Sequence, residues 1–119
     1  TPTGSTAYSF SAGGPIVWPA VEALLMVPLS PHALFSRPLV VSPHSVMAVE
    51  LLERTTSSAI LWCDGRRSVE IDPGSRVEVT KSDSSISLAR LHSGPFTDRL
   101  VGKFGLPTTG WRGPGKQET

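Results

Sequence analysis

Ala59-Ile60-Leu61-Trp62-Cys63 is an apolar run of strand length, and Asp64-Gly65 follows it at once. Beyond Arg66-Arg67, Ser68-Val69-Glu70-Ile71 alternates polar with apolar side chains. An Asp-Gly pair between two such runs is a strong local signal for a β-hairpin, because both central turn positions want positive φ. Glycine takes that conformation without a steric penalty, and aspartate tolerates it. Any fold for this chain has to accommodate that hairpin.

The same grammar recurs along the chain. Ala23 to Val27 is a continuous apolar run closed by Pro28, which reads as a buried strand although periodicity alone admits a helical turn. Pro38 to Val41 is a short β segment whose proline suits an edge or a strand entrance. Val46 to Glu53 places Met47, Val49 and Leu51 on one face and Val46, Ala48, Glu50 and Leu52 on the other. Both faces are largely apolar, as expected between two layers. Asp72-Pro73-Gly74 turns the chain into a half-buried strand around Val77 and Val79. Lys81-Ser82-Asp83-Ser84 turns it again, and Ile86 and Leu88 open a last expected strand that runs to Leu91. Short strands at regular intervals, with Gly 11 and Pro 11 in 119 residues, predict a mainly β, two-layer β-sandwich-like domain.

Two helices are expected beside the strands. The segment Thr3 to Pro15 is dense in small and hydroxyl residues around a single tyrosine, Tyr8. Ser5 or Thr6 can cap a helix running from about Thr6 to Ala12, which Gly13-Gly14-Pro15 would stop. Cap chemistry alone accounts for most of these residues. The same loop-to-helix start could hold an oxygen-rich ligand, with Tyr8 offering a flat face and a hydroxyl. After Gly94, Pro95 suits the first position of a second helix. Phe96, Leu100, Val101 and Phe104 then form an apolar stripe, with Thr97, Asp98, Arg99 and Lys103 facing away. An amphipathic helix of this kind wants a partner surface. Gly110 to Thr119 has no apolar pattern.

Several functions find no support in the residues. A net charge of +1 is too balanced for a protein that binds nucleic acid by neutralising phosphates. No apolar run reaches the roughly 18 residues of a membrane span, and no signal segment opens the chain. One cysteine excludes an internal disulfide and suits a reducing compartment. His32, His44, His92 and Cys63 match no compact zinc spacing, so no metal site is assigned. The Thr3–Pro15 segment is neither a P-loop, lacking Gly-Lys-Ser/Thr, nor a nucleophile elbow, since Ser5 lacks the flanking Gly-x-Ser-x-Gly.

Thr1-Pro2-Thr3-Gly4-Ser5-Thr6-Ala7-Tyr8-Ser9-Phe10-Ser11-Ala12-Gly13-Gly14-Pro15 resembles the TPTGSTAYSxSAGGP signature of NAD kinases. Val27-Pro28, Pro31-His32-Ala33-Leu34 and Arg37-Pro38-Leu39-Val40 are similar to that family's P-x-x-P-H-x-L-x-x-R-P-L-V run. Cys63-Asp64-Gly65 stands where the family has an Asp-Gly-Gln turn. Phe96 to Phe104, Leu106-Pro107 and Gly110-Trp111-Arg112-Gly113 look like an actinobacterial version of its tail. The resemblance covers nearly the whole chain and only the C-terminal part of such an enzyme.

The resemblance implies phosphoryl transfer from ATP, or polyphosphate in some members, to the adenosine ribose 2′-OH of NAD, with a divalent cation such as Mg²⁺ bound mainly outside this chain. It implies NAD contacts at Thr6, Ala7, Tyr8, Ser9, Phe10 and Ser11. Arg66 stands in place of the family glutamine and is read as a further NAD contact, the competing reading being an exposed hairpin tip. The family's catalytic aspartate lies in a Gly-Gly-Asp-Gly motif that this sequence does not contain, so no catalytic residue is assigned here. Residues 1–93 are then expected to form the NAD-binding domain, incomplete at its N-terminus. Residues 94–119 are expected to form a tail that returns to an absent N-terminal domain. A cytoplasmic location and self-association are expected with it. The alternatives are a diacylglycerol- or sphingosine-type lipid kinase and a non-enzymatic β-sandwich binding module.

Overall fold

Asp64 and Gly65 both take positive φ, 53° and 66°. The Arg66 N–H donates to the Cys63 carbonyl oxygen at 3.1 Å and closes the turn between β4 (Ala59–Cys63) and β5 (Arg67–Ile71). The register pairs Cys63 with Arg67, Leu61 with Val69 and Ala59 with Ile71, so Arg66 belongs to the connection as well. The computed structural model describes residues 1–29, 37–91 and 93–109. Pro31 to Leu34, His92 and Gly110 to Gly113, which carry part of the sequence resemblance or the metal spacing, lie outside them.

The chain divides into two units, Thr1–Ser84 and Ser85–Thr119. The first holds three antiparallel two-stranded sheets. β1 (Leu24–Met26) pairs with β2 (Leu39–Val41), matching Leu24 to Val41 and Met26 to Leu39. β3 (Met47–Glu50) pairs with β6 (Arg76–Val79), so the β4–β5 hairpin is inserted between two strands that close on each other. Gly74 at φ 86° makes the Asp72-Pro73-Gly74 turn, and the Ser75 N–H donates to the Asp72 carbonyl at 3.1 Å.

The faces of β3 separate more sharply than the sequence implies. Met47 opposes Val79 and Val49 opposes Val77 on one side. On the other, Ala48 opposes Glu78 and Glu50 opposes Arg76. The Arg76 guanidinium forks between Glu78, at 2.8 Å, and Glu50. The hydrogen bonds that Arg76 donates to Glu78 and then to Glu50 raise its pKa above the ordinary value. This face is therefore charged rather than a second apolar layer.

Burial concentrates at the N-terminal end of the first unit. Val17, Ala23 and Leu24 are buried, and Ser5 is wholly so. The sheets keep apolar side chains in the open: Ile60 and Trp62 are 60% and 62% exposed. Two-stranded sheets with open apolar faces are marginal by themselves.

In the second unit, α2 (Phe96–Phe104) starts directly after Pro95, which stands just outside the helix. Phe96, Leu100, Val101 and Phe104 are half-buried while Thr97, Asp98, Arg99 and Lys103 are exposed, as the stripe implies. Asp98 in the first turn and Lys103 in the last complement the helix dipole. Gly105 ends the helix in the left-handed region at φ 60°. Residues 85–91, expected as a strand, form none, and Ile86 and Leu91 are 91% and 94% exposed. Alternation decides which face a strand would bury, but the ladder hydrogen bonds need a partner strand.

Candidate functional site

The hydroxyl-rich N-terminal segment folds as two short helical pieces instead of one. A 3₁₀ turn covers Thr3–Thr6, and α1 covers Tyr8–Ser11. Ala7, at φ −96° and ψ −138°, breaks the run between them. Neither Ser5 nor Thr6 caps α1. The Ser5 hydroxyl turns inward: Oγ accepts the Val17 N–H at 2.9 Å and lies 2.6 Å from the Pro2 carbonyl oxygen, to which it donates. Its role is to tie the 3₁₀ turn to the buried segment at Val17. Thr1 is the residue that serves the start of the turn, its Oγ1 accepting the Gly4 N–H at 3.0 Å.

Gly13 and Gly14 close α1 for two different reasons. Gly13 takes φ 84°, and a Cβ there would meet nothing within 4 Å, so it is the angle that calls for glycine. Gly14 is buried and donates its N–H to the Ser9 carbonyl at 2.8 Å. A Cβ on Gly14 would stand 2.7 Å from that oxygen and 2.9 Å from Val27 Cγ2. There the requirement is space.

This packing leaves Tyr8 71% exposed on α1. Beside it is an open cleft of about 260 Å³, lined by Tyr8, Ser9 and Ala12 from the helical side, by Leu25, Val27 and Leu29 from β1 and its continuation, and by Thr1 and Gly4. A cleft of this size takes one ring or one polar arm of a larger ligand rather than a whole cofactor. Of the six residues singled out by sequence, Tyr8 and Ser9 line it. Ala7, Phe10 and Ser11 are exposed on the same short segment, and Thr6 is half-buried with its hydroxyl 3.4 Å from the Thr3 carbonyl. Arg66 is exposed on the β4–β5 turn and is not part of the cleft wall. Its neighbour Arg67 reaches Asp64 at 3.3 Å, an exposed pair of little energetic consequence.

Sequence reasoning missed the apolar wall of the cleft. Leu25 and Val27 read as strand core, and only the placement of α1 against β1 turns them toward a cavity. Among the described residues no group of three or more His, Cys, Asp or Glu side chains is arranged to hold a metal ion. Among them, too, no helix is long and apolar enough to cross a membrane.

Comparison with known proteins places this geometry. Residues 1–91 match the model of the ATP-NAD kinase C-terminal domain. The chain is 68% identical over 114 residues to an NAD kinase of Leifsonia xyli subsp. xyli, covering 96% of this chain and 38% of that protein. It is 66% identical over 113 residues to NAD kinase 2 of Streptomyces coelicolor, covering 95% of this chain and 37% of that one. The chain thus spans well under half the length of these relatives. Among solved structures, yeast NADH kinase complexed with NADH superimposes with a TM-score of 0.59 at 42% identity, over 67% of this chain and 23% of that one. The signature segment, the mainly β architecture and these likenesses agree, and the chain belongs to the ATP-NAD kinase C-terminal domain family.

Proposed function

We propose that this chain is the NAD-binding part of an NAD kinase, which moves a phosphoryl group from ATP, or polyphosphate, to the adenosine ribose 2′-OH of NAD. The observation that carries the reading is Tyr8, an aromatic ring left exposed beside a cleft by a segment that lies within the matched family domain and resembles the family signature. A tyrosine placed only for packing would be buried. Here its ring is free to stack on a flat heterocycle, and its hydroxyl to meet a polar edge. Thr6, Ala7, Ser9, Phe10 and Ser11 surround it on the same segment and are proposed as its companions in holding NAD, with Arg66 a further contact from the hairpin.

Phosphoryl transfer depends on positioning, charge neutralisation and a group that orients or deprotonates the attacking hydroxyl. This chain supplies the first. No step is assigned here to a divalent cation, because the described residues gather no ligand set for one. The catalytic aspartate, the cation and the donor phosphates are proposed to belong to the further length that the relatives possess. Residues 1–93 are the NAD-binding domain in this reading, and residues 94–119 the tail whose apolar stripe meets the N-terminal domain. The open apolar sheet faces support the reading of a part within a larger, self-associating protein, and a cytoplasmic location is proposed with it.

Titration calorimetry of NAD into the complete protein tests the binding role. Tyr8→Ala is expected to raise the dissociation constant roughly two- to twelvefold, the equivalent of an aromatic stack of about 0.5–1.5 kcal/mol. Tyr8→Phe keeps the ring and loses less. A large fall in melting temperature with affinity unchanged would move Tyr8 from the site to the fold.

A further inference from the structure

Tyr8 can meet a ligand only where α1 holds it, and just past α1 the chain at Gly14 runs very close to Val27, the residue after β1. Gly14 is buried between the end of α1 and Val27, just past β1. Its φ lies outside the positive region, so backbone freedom does not explain the glycine. Space does. A Cβ at Gly14 would stand 2.7 Å from the Ser9 carbonyl oxygen and 2.9 Å from Val27 Cγ2, and closer still to Ser9 Oγ. Two of these three obstacles are side-chain atoms. The third is backbone, belonging to the residue that follows Tyr8, and cannot swing aside. Ser9 Oγ is buried at this contact and, among the described residues, is without a hydrogen-bond partner. A buried hydroxyl left unsatisfied is unfavourable, and the close approach is kept in spite of it.

Ser9, on α1, and Val27, just past β1, both line the cleft that Tyr8 overlooks. We infer that Gly14 is a positioning residue: by lacking a Cβ it sets the spacing between α1 and the β1 wall, and with it the place of the Tyr8 ring in the cleft. The inference rests on the reading that Tyr8 meets NAD. It adds that the affinity Tyr8 supplies is conditional on Gly14. Any side chain at residue 14 forces the Ser9 backbone to shift, and a misplacement on the order of 1 Å is enough to weaken a stacked, oriented contact.

A double-mutant cycle in the complete protein tests this, with NAD affinity read by titration calorimetry and folding by thermal melt. Gly14→Ala is expected to weaken NAD binding severalfold in protein that still melts cooperatively. In a Tyr8→Ala background the same substitution is expected to add little, because the contact it displaces is already gone. Unchanged affinity in Gly14→Ala, or losses that multiply in the double variant, would overturn the role for Gly14 while leaving Tyr8 in place. Unchanged affinity in Tyr8→Ala alone would overturn the reading of Tyr8, and the role for Gly14 with it. Should Gly14→Ala not fold, the comparison is made between Val27→Ala and Val27→Ala/Gly14→Ala. That background removes the Val27 obstacle and keeps both Ser9 atoms, the backbone carbonyl among them, so the same severalfold loss is expected, and equal affinities would overturn the proposal.

Discussion

The buried Ser5 hydroxyl accepts the Val17 N–H at 2.9 Å, joining the 3₁₀ turn at the start of the chain to one of its few buried apolar residues. No water reaches Ser5 to replace that bond, since its exposure is zero. Ser5→Ala leaves the Val17 N–H without this acceptor, which costs about 1–3 kcal/mol. Thermal unfolding of the complete protein is expected to show a clear fall in melting temperature. A melting temperature equal to that of the parent protein would remove Ser5 from the framework of the site.

Asp64 carries a second, backbone-based prediction. At φ 53° it occupies a region that β-branched side chains avoid. Asp64→Asn is expected to be tolerated within about 0.5 kcal/mol, as asparagine suits the left-handed conformation. Asp64→Val is expected to lose about 1–2 kcal/mol through strain in the turn. The loss of the exposed Arg67 pair adds little to that. Chemical denaturation of both variants separates the two cases, and equal stability would contradict the turn geometry.

How much of this was legible in the sequence follows from range. The β4–β5 hairpin was readable because its cause is two adjacent residues. The stripe of α2 is equally local and appears as expected, and the stop at Gly105 has a cause just as local. The pairing of β3 with β6 was not readable, since alternation orients a strand without naming its partner. Arg76, Glu50 and Glu78 show the consequence: Glu50 meets two charges of the distant β6, and together they define a face that looked apolar on β3 alone. Ser5 was misassigned because a serine hydroxyl can cap a helix locally or bond across the fold, and only the tertiary contact decides. At Tyr8 the family signature located the segment, while the cleft beside it depends on Leu25 and Val27, whose type signals only burial.

Acid sensitivity follows from Lys81 and Glu22, whose Nζ and Oε2 lie 2.5 Å apart. The hydrogen bond from Lys81, then its charge and that of His44, hold the Glu22 carboxyl below its ordinary value of 4.5. A carboxylate depressed in the folded state stabilises above its unfolded pKa, and that contribution is lost as pH falls through the folded value. Lys81→Met is therefore expected to lower the melting temperature slightly at pH 7, with the difference from the parent vanishing once pH drops below the lowered Glu22 value. The pair is exposed, so the effect is small and shrinks in high salt. A difference that persists unchanged in strong acid would assign it to packing.

The 119-residue chain alone is expected to make no NADP, because it contains no Gly-Gly-Asp-Gly motif and neither Asp64 nor Asp98 stands in such a context. Turnover clearly above a control without protein, in a coupled dehydrogenase assay with NAD, ATP and magnesium, would contradict this.

The central claim is that the exposed Tyr8 segment serves phosphorylation of NAD. The most direct measurement is NADP formation by the complete protein that carries this domain, supplied with NAD, magnesium and either ATP or polyphosphate. NADP that accumulates with time, and falls in Tyr8→Ala through a raised NAD requirement, is the expected result. No NADP from either donor, with phosphate instead transferred to diacylglycerol or sphingosine, would contradict it.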